Sequence, residues 1–251
     1  MKTKLFNKSI LFTVGVHGDE HAPVSVTKSK LPKKSFLICN HQALVKNVRF
    51  IESDLNRSFP GNHKGGVEEK LAYKLVQKLK KHQFIIDIHT ATCVTPPFIV
   101  ATKITPAHVE LIRRTGVKKV VLMSREFGAG KSLIDFVPVG ISIESGREKS
   151  LKTKIIIDKI VNQIINNELN KKQLKFYKVF KTFIKTNHQE FLVPNIHSFK
   201  LVTAGTQITN LGQKAEENFY PILARSRNYP NFLCLMAKKV NLSDINVKIS
   251  L

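Results

Sequence analysis

The chain is poor in cysteine and in acidic residues, and it lacks any long apolar run. Only three cysteines, Cys39, Cys93 and Cys234, occur in 251 residues. They are far apart, odd in number and in no Cys-x-x-Cys spacing. That excludes a disulfide framework and points to reduced thiols, in the core or lining a site, of a cytoplasmic protein. No stretch approaches the roughly 18 apolar residues that span a bilayer. Internal repeats and long low-complexity tracts are also missing. With 42% hydrophobic and 24% charged residues, the composition is that of a folded, soluble protein, which excludes wholesale disorder and a collagen-like repeat. Residues 1–8 are basic and 10–16 apolar, a weak imitation of a secretion signal. The run is too short and no A-x-A-like cleavage site follows, so no leader is expected.

Acid is scarce relative to base: 18 Asp and Glu against 41 Lys and Arg give a net charge of +23. Such an excess raises the question of nucleic acid or an anionic membrane surface. The excess is mostly scattered lysine, as in Lys78, Lys80 and Lys81 or Lys171, Lys172 and Lys175, and no five basic residues are consecutive. It reads as a solvated basic surface that helps attract small anions. Neither nucleic acid nor a membrane is the expected partner, and a homodimer is left open.

What is present alternates in the manner of βα units. Residues 9–16 and 35–40 are apolar runs bounded by turn residues, which predicts buried strands. Val67, Leu71, Leu75 and Leu79, with Ala72 and Val76 beside them, predict an amphipathic helix. Glu68 and Glu69 sit in its first turn and Lys80, Lys81 and His82 at its end, as the helix macrodipole favours. Strands are expected at 84–89, 117–123 and 139–144, with helices at 106–114 and 151–169. Interleaved strands and helices imply an α/β fold: a mixed, mostly parallel sheet flanked by helices, with ligands gathered at the carboxyl edges of the strands. Near residue 173 the texture changes to short β-rich runs. We expect an α/β domain over 1–172 and a smaller β-rich domain over 173–251.

The chemistry-bearing residues stand at strand ends. The first run discharges into His17-Gly18-Asp19-Glu20, where a turn loosened by Gly18 lets an imidazole and a carboxylate face one point. In 84–89 the last residues on one face are Asp87 and His89, since side chains two apart share a strand face. An apolar strand has no packing use for that pair. A core histidine satisfied by Asp87 is the plain explanation; the functional one makes His89 a metal ligand oriented by Asp87. Two histidines and one glutamate, with a coordination position left open, form a catalytic rather than a structural zinc arrangement. Such a site acidifies water, from a pKa of about 15.7 to about 7, and needs a free carboxylate as proton shuttle. Glu144, ending the strand at 139–144 before Ser145-Gly146, supplies one. Arg49, Asn56 and Arg57 lie between these motifs, and arginine forks bind carboxylates and stabilise oxyanions. Taken alone, that stretch is equally an ordinary polar loop.

In their order, His17-x-x-Glu20, Asp54-Leu55-Asn56-Arg57, Asp87-x-His89 and Ile143-Glu144-x-Gly146 resemble the succinylglutamate desuccinylase and aspartoacylase family, a branch of the zinc carboxypeptidase-like hydrolases. Asn40-His41-Gln42-Ala43 followed by Arg49, and Tyr220-Pro221 followed by Tyr229, extend the resemblance over most of the chain. It implies one zinc ion on His17, Glu20 and His89, and Glu144 as the base that activates water. Arg49 would polarise the scissile carbonyl, and Asn56, Arg57 and Tyr229 would hold the substrate carboxylate. The family's further carboxylate-binding arginine is missing; the stretch where it belongs reads Gly130-Lys131-Ser132. Lys131 is the cation that would replace it, without the bidentate fork. The implied activity is hydrolysis of the amide of a small anionic N-acyl amino acid to a carboxylate and a free amino acid. A zinc carboxypeptidase or peptidoglycan-type amidase uses the same centre on a peptide. A basic anion- or nucleic-acid-binding protein would leave the polar residues at these strand ends unexplained.

Overall fold

The computed structural model describes residues 10–127, 129–227 and 231–245. Nine strands form one sheet: β1 (Ile10–Val14), β2 (Phe36–Ile38), β3 (Phe84–Ala91), β4 (Phe98–Ala101), β5 (Lys119–Leu122), β6 (Val139–Arg147), β7 (Lys175–Ile184), β8 (Tyr220–Ile222) and β9 (Phe232–Val240). Their spatial order is β2-β1-β3-β6-β4-β5-β7-β9-β8. The pairs from β2 to β6 and those joining β4, β5 and β7 are parallel; β4 runs antiparallel to β6, and β9 antiparallel to β7 and β8. This is the expected mixed, mostly parallel α/β sheet.

Alternation along the strands divides the sheet into two faces. One is apolar throughout: Phe12, Ile86, Ile88, Ile99, Val120 and Ile141 pack under three helices, α1 (His21–Lys30), α4 (Pro106–Thr115) and α5 (Leu151–Ile165). On the other face, helix α3 (Val67–Leu79) lays Ala72, Leu75, Val76 and Leu79 over Leu11 and Ile85. The rest of that face is left for the site. No helix among the described residues is long and apolar enough to cross a membrane.

Helix α3 spans the residues its periodicity predicts, and strands β1, β2, β3, β5 and β6 fall on the expected runs, apart from Ser9, which lies outside the described residues; β3 and β6 continue to Ala91 and Arg147, so His89 and Glu144 lie inside their strands rather than at the ends. Three elements are additional. Helix α1 begins with His21-Ala22-Pro23, and Pro is tolerated in a first turn, but Val24, Val26 and Thr27 give it no clear helical stripe; its burial against α5 and β1 forms it. The short α2 (His41–Lys46) is set by the Asn40 side chain, which accepts from the Ala43 N–H at 3.1 Å. Strand β4 has only four residues and sits antiparallel between β6 and β5, a reversal no local pattern encodes. Helix α5 ends at Ile165 rather than 169. His108, expected at the surface or in a loop, is fully buried on α4.

The three cysteines are free and buried. The textural change near residue 173 falls just before β7. Because β7 hydrogen-bonds in parallel with β5, the sheet runs continuously through both parts of the chain. Beyond β7, the described residues carry strands, isolated bridges and one 3-10 turn around a separate apolar cluster that includes Leu192, Val202, Phe219 and Leu233.

Candidate metal centre

The turn after β1 is tight. The Glu20 N–H donates to the His17 carbonyl at 3.3 Å, and the Gly18 N–H to the Arg49 carbonyl at 3.0 Å. Helix α2 passes so close that a Cβ on Gly18 would lie 2.1 Å from the carbonyl carbon of Ala43, so only glycine fits. The turn thereby aims His17 and Glu20 inward, where β3 delivers His89. His17 Nδ1 lies 2.8 Å from Glu20 Oε1, and His89 Nδ1 lies 3.1 Å from Glu20 Oε2. One donor atom from each of the three falls within 4.8 Å of the others, and all three residues are buried. No other group of three or more such side chains is found among the described residues.

Each imidazole turns its remaining nitrogen to a second carboxylate. His89 Nε2 is 2.6 Å from Asp87 Oδ2, and Asp87 in turn accepts from Thr13 Oγ1 at 2.8 Å. His17 Nε2 is 3.1 Å from Asp54 Oδ1. A carboxylate behind a ligating histidine fixes its tautomer and ring orientation and raises its basicity, so the donor set suits a divalent ion approached by both Nδ1 atoms. Asp87 meets His89 on the shared strand face, a contact common to both readings of that pair. Asp54 does so without a local signal, for it is 37 residues from His17 and stands at the head of a 3-10 turn, Leu55–Arg57. Its Oδ1 also accepts from the Asn56 N–H at 2.8 Å, and its Oδ2 from Arg49 Nη2 at 3.4 Å.

Electrostatics follow from this packing. Burial disfavours protonation of His17, but Glu20 and Asp54 outweigh it and hold its pKa above the usual value. Burial of Glu20 is likewise overridden by His89 and His17, which keep it ionised well below the carboxylate range. Glu144 behaves oppositely. Burial lifts its pKa to about 7 against the pull of His89, with the charge of Glu20 adding to the rise. Its Oε2 is buried and has no hydrogen-bond partner. Cross-strand register places it: Glu144 pairs with His89 on one side and with Phe98 on the other, all on the same face.

A cavity of about 130 Å³ opens over this face. His17, His89, Glu144, Arg49, Asn56 and Arg57 line it, so the structure brings together most of the residues singled out in the sequence. Arg49 approaches Glu20 at 3.8 Å as well as Asp54. Lys131 is not brought in: its side chain is exposed, and neighbouring Ala129 and Ser132 line the cavity instead. Tyr229 lies outside the described residues. His21 turns away to Asn47, at 2.6 Å. Glu68, read in the sequence as a helix-dipole residue, is buried and does more. It accepts from the N–H groups of Ile51, Glu52 and Ser53 and from Asn40 Nδ2, which pins the loop after Arg49. A larger cleft of about 970 Å³, with Arg147, Lys149, Lys152 and Lys200 on its walls, lies along the same edge of the sheet.

Comparison with known proteins bears on the same segment. The succinylglutamate desuccinylase/aspartoacylase catalytic domain matches residues 7–164. Among curated relatives, the succinylglutamate desuccinylase of Pseudomonas paraeruginosa is 28% identical over 102 residues, 33% of this chain and 31% of that protein. The N-acyl-aromatic-L-amino acid amidohydrolase (carboxylate-forming) of Xenopus tropicalis is 35% identical over 99 residues, 31% of this chain and 32% of that protein. The chain thus matches about a third of the length of these relatives. Among solved structures, murine aminoacylase 3 superposes with a TM-score of 0.75 at 18% identity, covering 96% of this chain and 97% of that one. The succinylglutamate desuccinylase of Vibrio cholerae does so with a TM-score of 0.67 at 18% identity, covering 93% and 82%. The matched segment reaches from before β1 to the end of α5 and contains every strand that feeds the centre, and on that ground the chain belongs to the succinylglutamate desuccinylase/aspartoacylase family.

Proposed function

We propose that this protein hydrolyses the amide bond of a small N-acyl amino acid, yielding a carboxylate and a free amino acid, with one zinc ion held by His17, Glu20 and His89. The observation that carries the reading is the convergence of those three buried donors beside an unpartnered carboxylate oxygen of Glu144 and two arginines in one cavity. Zinc on two imidazoles and a carboxylate supplies a Lewis acid that polarises a carbonyl and acidifies water.

The remaining chemistry belongs to the chain. Glu144 Oε2 accepts a proton from the water that attacks the acyl carbon, then returns it to the departing amine. That oxygen is buried and has no hydrogen-bond partner, which leaves it available for both acts. Arg49, steadied by Asp54 and Glu20, directs its guanidinium at the developing oxyanion. Asn56 and Arg57 hold the substrate's carboxylate, with Tyr229 proposed as a third contact. The free, buried cysteines support a cytoplasmic setting.

Glu144→Gln tests the reading. We expect the variant to keep one zinc per chain by metal analysis and to lose about 10²- to 10⁴-fold in kcat on N-acetyl amino acids, the usual worth of a general base. A variant that keeps most of the parent's turnover removes Glu144 from its role. A parent protein that takes up no divalent metal removes the whole proposal.

A further inference from the structure

The cavity has two chemically different ends. Register pairs Glu144 with Phe98, Ser142 with Val100 and Val100 with Val121, so one sheet face changes from polar to apolar between β3 and β5. His17, His89, Arg49, Asn56 and Arg57 make the polar end. Phe98, Val100, Val121, Met123, Phe127 and Leu235 make the other. Phe98, Val121 and Leu235 belong to a packed cluster with Tyr177, Val179 and Ala237, so the wall is solid protein rather than a surface patch. Among the described residues that line it, none carries a charge.

Building on the amidohydrolase reading, we propose that the substrate's amino-acid side chain is apolar and of about leucine or methionine size, and that N-acyl aspartate and N-acyl glutamate are poor substrates. The polar end accounts for the carboxylate and the scissile amide, and what remains of the cavity is mostly apolar, with the hydroxyl residues Thr102, Ser132 and Ser142 but no cation. The side chain, not the acyl group, is directed there. A carboxylate and a side chain share one carbon, so the side-chain pocket adjoins the carboxylate anchor. Asn56 Oδ1 accepts from the Leu133 N–H at 3.2 Å, which seats the anchor against the segment that contributes Phe127, Ala129, Ser132 and Ile134 to the lining. A second carboxylate placed against Phe98 and Val121 would be buried without a cationic partner, which is strongly unfavourable. The exposed position of Lys131 agrees with this.

The test compares kcat/KM of the zinc-loaded protein for N-acetyl-L-leucine and N-acetyl-L-methionine with that for N-acetyl-L-aspartate, N-acetyl-L-glutamate and N-succinyl-L-glutamate. The apolar pair should exceed every acidic substrate by more than about tenfold. An acidic substrate that matches or exceeds the better of the pair overturns the proposal. Met123→Arg, which puts a cation against the wall on a flexible stem, should shift the ratio toward N-acetyl-L-aspartate by at least about tenfold; Met123→Leu, which keeps the wall apolar, should still favour the apolar pair. Zinc content and melting temperature show whether both variants are folded. If no N-acyl amino acid is turned over, the hydrolase reading fails on its own. Calorimetric binding to the zinc-loaded protein then decides the pocket: tighter N-acetyl-L-leucine supports it, and tighter N-acetyl-L-aspartate, or no binding by either, overturns it.

Discussion

Removing the carboxylate behind His17 should weaken metal binding without dismantling the fold. Asp54 Oδ1 lies 3.1 Å from His17 Nε2, the nitrogen facing away from Glu20, and the His17 ring is buried. In Asp54→Ala that N–H loses its acceptor, and water cannot readily replace it. A hydrogen bond to a charged group is worth about 1.5–3 kcal/mol. Loss of a carboxylate behind a ligating histidine typically costs about 10- to 100-fold in metal affinity. The two figures agree, since 1.4 kcal/mol is about tenfold. Asp54→Asn separates the two duties of the residue. Its amide oxygen still accepts from His17, but its NH2 now meets the Arg49 guanidinium where Oδ2 stood at 3.4 Å. We therefore expect Asp54→Ala to lose about 10- to 100-fold in zinc affinity, and Asp54→Asn to lose less affinity but more of its kcat. Competition against a chromogenic chelator near neutral pH measures the affinity, and a urea midpoint confirms the fold. Zinc held by Asp54→Ala within about twofold of the parent would refute the claim that Asp54 orients His17.

Two further outcomes are expected. Glu68→Gln leaves one acceptor oxygen for four donors, and an NH2 group then faces two N–H donors. The variant should lose about 3 kcal/mol in urea denaturation and raise KM through the displaced Arg49 loop; a loss under about 1 kcal/mol would show that the loop is held by other means. His108 is buried on α4 with its Nε2 unpartnered, and burial, reinforced by Lys103, lowers its pKa to about 4 from 6.5. Between those values the unfolded chain binds the proton and the native one does not, so stability falls as the pH drops from about 6.5 to about 4 and rises again with pH, by on the order of 3 kcal/mol in full. His108→Gln should flatten that part of the stability profile, measured as urea unfolding free energy against pH; an unchanged slope would show that other groups set it.

Some of the structure was legible because it is periodic. The spacing of Val67, Leu71, Leu75 and Leu79 fixes a helix whatever surrounds it, and the apolar run before His17 fixes a strand. Polar residues on an apolar strand are equally readable, since such a strand has no packing use for Asp87 and His89. Helix α1 and strand β4 were not legible: one lacks an amphipathic stripe and the other is four residues long, so both owe their form to the neighbours that bury them. Lys131 shows the limit of reading by position. Its place in the sequence offered a cation to the substrate, but the backbone there presents Ala129 and Ser132 to the cavity and leaves the lysine in solvent.

By itself, then, the sequence determined the alternating elements, the candidate donors His17, Glu20 and His89, and the place of Glu144 on an apolar strand, all of which rest on local spacing and on which residues an apolar strand will not otherwise carry. Only the tertiary structure decided that Asp54 stands behind His17, that Glu68 holds the loop after Arg49, and that an antiparallel β4 gives the cavity its apolar half. Those features arise where segments distant in the chain dock against one another, and such contacts follow from the packing of the whole sheet rather than from the residues beside them.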